Sequence, residues 1–497
     1  MTSPDPDERL IAEDVRALQR MGYAQELRRG MSAFSNYALS LSIICILAGG
    51  VTSFHIGFCS VGGAAIGIGW PLSCLLSLVV ALTMGQVASA FPTAGGLYHW
   101  ASILGGRGWG WVTAWFNLAG LCTVLAAVNV GTWQFASAAI GPRFGFDPAT
   151  ASPGVKLVAQ LVAVVAITGS QALVNHRGIR LTTRLTDFSG YWILGVAAAL
   201  MAAMLFFSKH LALGNLVHVA NYSGAAGGAV WPATPGLPWL FVLGFLLPAY
   251  TITGFDASAH TAEETIGASV NVPRGIVRSV LVSGLCGWAM LAAVVVAIPD
   301  LDEAASKGDG VFAFIVGAVV PDRAALALYV GLAAAQYLCG LATVTSASRM
   351  AFAFARDGGL PFSAALRTVS PAHRTPVRAI WAVALLSIVF TVYTPVYSTI
   401  TAVCTIFLYL SYVIPTALGL LAWGRTWTAM GPWGLGRWYR PAALVSVVFC
   451  GVLIVVGVQP PNDKALWIVL GSVVVLAVAW FARERRRFPG PPAGLGS

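Results

Sequence analysis

Charge is what this sequence has least of. Asp, Glu, Lys and Arg make up 10% of its 497 residues and apolar types 57%, against about 25% charged in an ordinary soluble domain. A soluble globule of this composition would leave too much apolar surface in water. The signatures of catalysis are also missing. The seven histidines show no HExxH or other ligand spacing, and neither a GxSxG elbow nor a P-loop string occurs. No enzyme activity, no metal and no cofactor are therefore expected, and the lack of a nucleotide-binding module disfavours an ATP-driven pump. Eight cysteines stand singly, mostly inside apolar runs and without a CxxC, which reads as packing. The first 33 residues have no apolar core of the kind that marks a cleavable signal.

What is there instead is apolar sequence in spanning lengths. From about Tyr37 to Phe481, long apolar runs alternate with short loops, the pattern of repeated bilayer crossing. Spans are predicted near 37 to 58, 69 to 91, 109 to 139, 155 to 174 and 186 to 208. A second block follows near 238 to 262, 275 to 298, 323 to 356, 377 to 393 and 396 to 423, with a final pair near 441 to 458 and 465 to 482. Basic residues test that count of twelve. With the N-terminus inside, 23 of the 29 Lys and Arg fall on cytoplasmic segments and 6, including Arg143 and Lys209, outside.

The expected fold is thus an all-α polytopic membrane protein of twelve transmembrane helices in two blocks of five and a final pair, which matched interruptions in spans 1 and 6 mark as a five-plus-five inverted repeat with two added C-terminal helices. Residues 1–33 form a cytoplasmic segment, 34–482 the membrane domain (34–208 first repeat, 238–423 second repeat, 441–482 the added pair) and 483–497 a cytoplasmic tail. Arg16 to Arg29 is expected to form a short amphipathic helix on the membrane surface, and the Pro/Gly-rich stretch from Pro489 to Ser497 to be disordered. The segments Lys209 to Pro238 and Asp300 to Asp309 read as external connectors. The net charge of +10 follows from topology, so no nucleic acid is expected as partner, and no obligate protein partner is evident.

Two spans carry the means to break. Span 1 has Gly49-Gly50 followed by Thr52-Ser53 at mid-length, and span 6 runs from Pro248 through Thr253-Gly254-Phe255-Asp256. Each opens its block, and matched interruptions are the sequence pointer to a transporter with its site at the breaks. Unwinding frees backbone groups that a bilayer tolerates only if something polar satisfies them. A half-helix N-terminus suits a carboxylate; loosened carbonyls suit an ammonium or a cation. The plain alternative is that the glycines merely let helices approach and Pro248 merely kinks span 6.

Asp256 is the most informative residue, because a carboxylate at that depth needs a cavity or a partner. His260 lies four residues on, on the same helix face, so the two can pair structurally or relay a proton. Glu263 and Glu264 are expected to form ion pairs with Arg274 or Arg278. Thr343, Thr345 and Ser346 in span 8 offer hydroxyls for a coupling cation or for helix contacts. Phe54, Tyr250, Phe255 and His55 lie near the breaks as gate or packing residues.

Three strings resemble the amino acid–polyamine–organocation permeases, in the branch with amino acid, γ-aminobutyrate and choline permeases. They are Ala88 to Trp100 (ASAFPTAGGLYHW), Thr253 to Thr265 (TGFDASAHTAEET) and Ala355 to Pro361 (ARDGGLP). The resemblance implies substrate held by the unwound parts of spans 1 and 6. By position, Ala48, Gly49, Gly50, Val51 and Thr52 would meet a substrate carboxylate, and Thr253, Gly254, Phe255 and Asp256 its amino group or side chain. Two departures stand out: Gln86 sits where the family commonly has Glu, and 187–208 lacks the lysine that replaces sodium in several proton-coupled relatives. The coupling ion, H+ or Na+, is therefore left open. The expected function is secondary active transport of an amino acid or γ-aminobutyrate-like amine across the plasma membrane, with choline or polyamine transport, or a non-transporting receptor, as alternatives.

Overall fold

Helices account for every expected span, but two of the twelve are not continuous. The computed structural model describes residues 6–141, 145–146, 150–394 and 397–492; Arg143 and the tail beyond Pro492 lie outside them. After α1 (Pro6–Arg20), span 1 is three helices in series, α2 (Ala33–Ile44), α3 (Ile46–Thr52) and α4 (Phe54–Val61). Span 2 is α5 (Trp70–Ala90), and past the short α6 (Leu97–Gly105) come spans 3 to 5, α7 (Arg107–Ile140), α8 (Pro153–His176) and α9 (Ile179–Phe207). Span 6 is broken into α10 (Leu237–Leu243), α11 (Leu246–Thr251) and α12 (Ala257–His260). Span 7 is α13 (Ala268–Val296); α14 (Leu301–Ser306) and α15 (Val311–Val319) separate it from span 8, α16 (Asp322–Arg356). The chain ends with α17 (Ser363–Leu366) and spans 9 to 12, α18 (Val377–Tyr393), α19 (Tyr397–Ala422), α20 (Tyr439–Gly457) and α21 (Asp463–Ala479).

Among the described residues, ten helices are long and apolar enough to cross a membrane. The other two expected spans are the shorter apolar helices Leu237–Thr251 and Val377–Tyr393. Span 6 falls short because it breaks. The chain is a polytopic all-α membrane protein. Spans 3 and 8, with 34 and 35 residues, exceed the roughly 20 needed to cross; they pack on each other, and α7 also meets α19. Span 1 is 89% buried over its most apolar window and span 12 only 11%, so the broken span lies at the centre and span 12 at the rim. All eight cysteines are free.

The N-terminal segment departs from expectation. Its helix is α1, which stops at Arg20 ahead of a turn at Gly22 (φ +82), and the residues from there to Met31 run into the protein without regular helix instead of lying as a helix on the bilayer. Leu18, Tyr23, Leu27 and Met31 are buried. Met31 N–H donates to Glu264 O (2.8 Å) and Ile266 N–H to Met31 O (3.0 Å); Arg29 donates to Ala262 O at 3.0 Å and to Thr265 O. Burial beside the Asp357 carboxylate pushes the Tyr23 phenol far above its ordinary pKa, so it stays a donor. The tail is not loose as far as it is described: Pro492 packs on Gly22 and Phe488 O accepts from Arg107 (3.0 Å). Both described ends of the chain thus lie on one face, called here the terminal face. Arg29→Ala is expected to release the arm, seen as several-fold faster proteolysis between Gly22 and Met31; unchanged cleavage would mean that Arg29 does not hold it.

Candidate functional site

The break in span 6 runs from Ile252 to Asp256, where it was expected. Gly254 makes it possible: its φ is +86, and a Cβ there would run into Ile43, so a side chain is barred by both strain and space. The freed backbone groups find side chains from other spans. Gly254 N–H donates to Tyr412 Oη (3.0 Å), Phe255 O accepts from Ser40 Oγ (2.9 Å) and Ser258 O from Asn36 Nδ2 (2.9 Å).

The break in span 1 is displaced from the glycine pair. Gly49 and Gly50 are helical within α3, and the chain departs from helix on either side, at Cys45 (φ 29, ψ 82) and Ser53 (φ −104, ψ 9). At the first, Ile43 O faces the weak thiol donor of Cys339 at 3.4 Å. The two glycines face different neighbours. A Cβ on Gly49 would lie 2.6 Å from Thr251 Cα, whereas one on Gly50 would meet only side chains, the nearest Leu291 Cδ1 at 3.5 Å. Gly49 therefore lets the two broken spans touch backbone to backbone. Gly49→Ala is expected to lose uptake and about 1–3 kcal/mol of stability through overpacking, while Gly50→Ala keeps both. Parallel thermal unfolding and uptake assays check this pair, and equal behaviour would refute the assignment.

Asp256 is fully buried and bonded through both of its oxygens. Its Oδ2 accepts from Asn117 Nδ2 of span 3 (2.8 Å) and faces His260 Nε2 (3.1 Å); its Oδ1 accepts from Tyr412 Oη of span 10 (2.7 Å). Phe255 packs on the Tyr412 ring, centroids 4.9 Å apart. One carboxylate thus ties the unwound segment to spans 3 and 10. Thr253 bonds Tyr250 O within its own turn (2.8 Å).

On the side away from the terminal face, a chain of hydroxyls closes over the breaks. Thr52 Oγ1 donates to Ala48 O, so the 2.6 Å contact between Thr52 and Tyr397 must use the Tyr397 proton, and Tyr250 then donates to Tyr397 (3.3 Å). Beyond it is a cavity of about 160 Å3 lined by Tyr250, Trp231, His55 and Asp309, the last two 3.5 Å apart. Phe54 is fully buried against Phe58 and Phe312, a packing residue. Val51 is buried too.

Toward the terminal face the closure is ionic. Glu263 and Glu264, expected to meet Arg274 or Arg278, pair instead with span 8. Arg349 Nε and Nη2 reach Glu264 at 2.9 and 3.1 Å; Arg356 Nη1 and Nη2 reach Glu263 at 3.0 and 2.8 Å. Arg274 and Arg278 begin the next helix, and span 8 is the element that lies across the end of span 6. Arg356 stacks 3.9 Å over the Tyr23 ring, and Asp357 Oδ2 gathers Tyr23 Oη (2.7 Å), Tyr98 Oη (2.8 Å) and His99 Nε2 (3.1 Å). Ala94 N–H donates to Glu263 (3.1 Å). The three signature strings, far apart in sequence, meet here. Arg349 and Arg356 were missed although their signal was present: two arginines seven residues apart on one face of an apolar helix.

The span 8 hydroxyls do not converge. Thr343 bonds Cys339 O (2.9 Å) and Thr345 reaches Asn175 of span 4 (2.7 Å), while Ser346 Oγ is buried with no partner among the described residues. Gln86, the departure in span 2, accepts from Leu435 N–H (2.7 Å) and so holds the loop before span 11. Span 5 contains no lysine.

A helix bundle in which two interrupted spans touch, closed by ion pairs at one end and hydroxyls at the other, is built as a membrane transporter. The family model described as amino acid permease matches residues 31–480, and the chain belongs to that family. Among its relatives, Amino-acid permease BAT1 of Arabidopsis thaliana is 31% identical over 96% of both chains. The BAT1 homolog of Oryza sativa is 30% identical over 96% of this chain and 95% of its own. A protein of Candida albicans named Putative polyamine transporter is 24% identical over 98% and 90%. The chain is a permease of the amino acid permease family and not an enzyme; its partners are a small-molecule substrate and the lipid bilayer.

Proposed function

We propose that the chain is a secondary active transporter that moves an amino acid, or a γ-aminobutyrate-like amine, across the plasma membrane by alternating access. In this reading the terminal face is cytoplasmic, residues 34–208 and 238–423 are the two inverted repeats, and 441–482 is the added pair. The observation that carries it is the contact of two broken spans at Gly49 and Thr251. The departures from helix beside this contact, at Cys45 and Ser53 in span 1 and from Ile252 to Asp256 in span 6, suit a solute with both a carboxylate and an amine. The segment Ala48 to Thr52 would take the carboxylate and Thr253 to Asp256 the amine.

The polyamine reading draws on the Candida relative, but a polycation needs more than one available carboxylate. Glu263 and Glu264 are each held by an arginine, which leaves Asp256 as the carboxylate at the break. Purified protein in proteoliposomes, given a panel of labelled amino acids with and without proton and sodium gradients, tests the proposal. Saturable uptake of an amino acid class, little affected by choline or spermidine, is expected. Flux restricted to amines without a carboxylate would overturn the substrate, and binding without flux would overturn transport.

A further inference from the structure

On the side away from the terminal face, one helical turn beyond Thr52, span 1 carries His55 into the cavity of about 160 Å3 that sits against the hydroxyl closure. Tyr250, whose phenol bonds Tyr397 in that closure (3.3 Å), forms part of the wall, with Trp231, Thr405 and Asn462 beside it and Asp309 completing the lining. The volume is that of several water molecules at about 30 Å3 each, enough for a small organic cation or for one end of an amino acid. Polar groups reach the open space here. The His55 side chain is 13% exposed and that of Asp309 87%.

His55 and Asp309 face each other without closing. Nε2 lies 3.5 Å from Oδ1, beyond the roughly 2.7–2.9 Å of a charge-assisted hydrogen bond. The Thr52 carbonyl also faces the ring and can take the proton of a neutral imidazole, which leaves Nε2 to accept, as the carboxylate does. Two acceptors side by side call for a donor between them. Among the described residues no lysine or arginine supplies it, and Lys307, the nearest in sequence, is turned to Glu303 (3.4 Å) and to the Phe314 ring (4.7 Å). Donors on the remaining wall are largely spent: Trp231 Nε1 gives its proton to Ile56 O (2.9 Å) and Thr405 Oγ1 to Thr401 O (2.8 Å). The cavity therefore suits an ammonium and offers little to a carboxylate. Trp231 and Tyr250 add aromatic surface, which attracts cations.

We propose that this cavity captures a primary ammonium between His55 and Asp309 and, on the transport reading above, that the ammonium is the amine of a solute waiting outside the hydroxyl closure. Asp309 then offers the amine its first carboxylate and Asp256 the second, on the far side of Thr52, Tyr397 and Tyr250.

The test reads occupancy of the cavity in the purified full-length protein in detergent. Asn462→Cys places a thiol on the wall, while the eight native cysteines are buried or partly buried. Its modification by methyl methanethiosulfonate is followed by intact mass, with the unaltered protein as blank. Butylammonium is expected to slow the reaction saturably and butyrate to leave it unchanged. Asp309→Asn, at an exposed position that folding does not depend on, should raise the half-protecting concentration about fivefold, the upper range for a solvent-exposed ion pair. Protection should persist in Asp256→Asn, which removes the carboxylate at the break. Equal protection by butyrate, or protection unaltered by Asp309→Asn, would overturn the proposal. Protection that vanishes in Asp256→Asn would overturn it too, by showing that the amine acts from the break. None of these readouts needs flux, so failure of the transport reading would leave them unaffected.

Discussion

Asp256→Asn is expected to reduce uptake to background while leaving a folded protein of somewhat lower stability. The carboxylate accepts from Asn117, His260 and Tyr412 through both of its oxygens. An amide has one oxygen, so its NH2 group must face a donor that formerly found an acceptor. If it faces Tyr412, the phenol has to turn to accept, and it already accepts from Gly254 N–H. That hydrogen bond fixes the left-handed turn at the break. One mismatched buried hydrogen bond costs about 1–3 kcal/mol, which a bundle of this size survives. The geometry of the unwound segment does not survive it, and on the proposed function the negative charge that would meet a substrate amine is gone as well. Tyr412→Phe is the informative companion, since it keeps the ring against Phe255 but removes the donor to Asp256 and the acceptor for Gly254. It should lower uptake without abolishing it. Uptake by Asp256→Asn at the unaltered rate would reduce Asp256 to a structural tie.

The second large effect is expected at the pair between Arg349 and Glu264. Both side chains are essentially unexposed, at 1% and 0%, and meet through two hydrogen bonds. Arg349→Met leaves a carboxylate buried without its counter-charge, and removing one partner of such a pair typically costs about 3–5 kcal/mol. Glu264→Gln leaves the guanidinium in the same position. Combining the two removes both charges, so the double variant should recover most of the loss. A thermal-unfolding cycle should therefore be strongly non-additive. Additive losses would show that Arg349 and Glu264 are stabilised by separate partners.

The spans themselves were legible because bilayer thickness sets a length that a run of apolar residues either meets or does not. Spans 8 and 9 were expected at 323 to 356 and 377 to 393, and they occur at Asp322–Arg356 and Val377–Tyr393. The break in span 6 was legible for a similar local reason, since Gly254 is the residue that takes a positive φ without strain. The break in span 1 was expected at the glycine pair and lies to either side of it because those glycines serve another purpose. Gly49 removes a side chain that would collide with Thr251, and a sequence cannot distinguish a glycine needed for unwinding from one needed for approach.

Membrane class, span order and the residues capable of interruption were thus determined by the sequence alone, through composition and run length, which act locally. Partner choice was decided only by tertiary structure. That Glu263 and Glu264 meet span 8 and not the adjacent Arg274 and Arg278, that Asp256 is held by Asn117 and Tyr412, and that residues 21–31 thread into the terminal face all depend on how helices rotate and cross. Those angles come from packing many side chains at once, and no spacing along the chain encodes them.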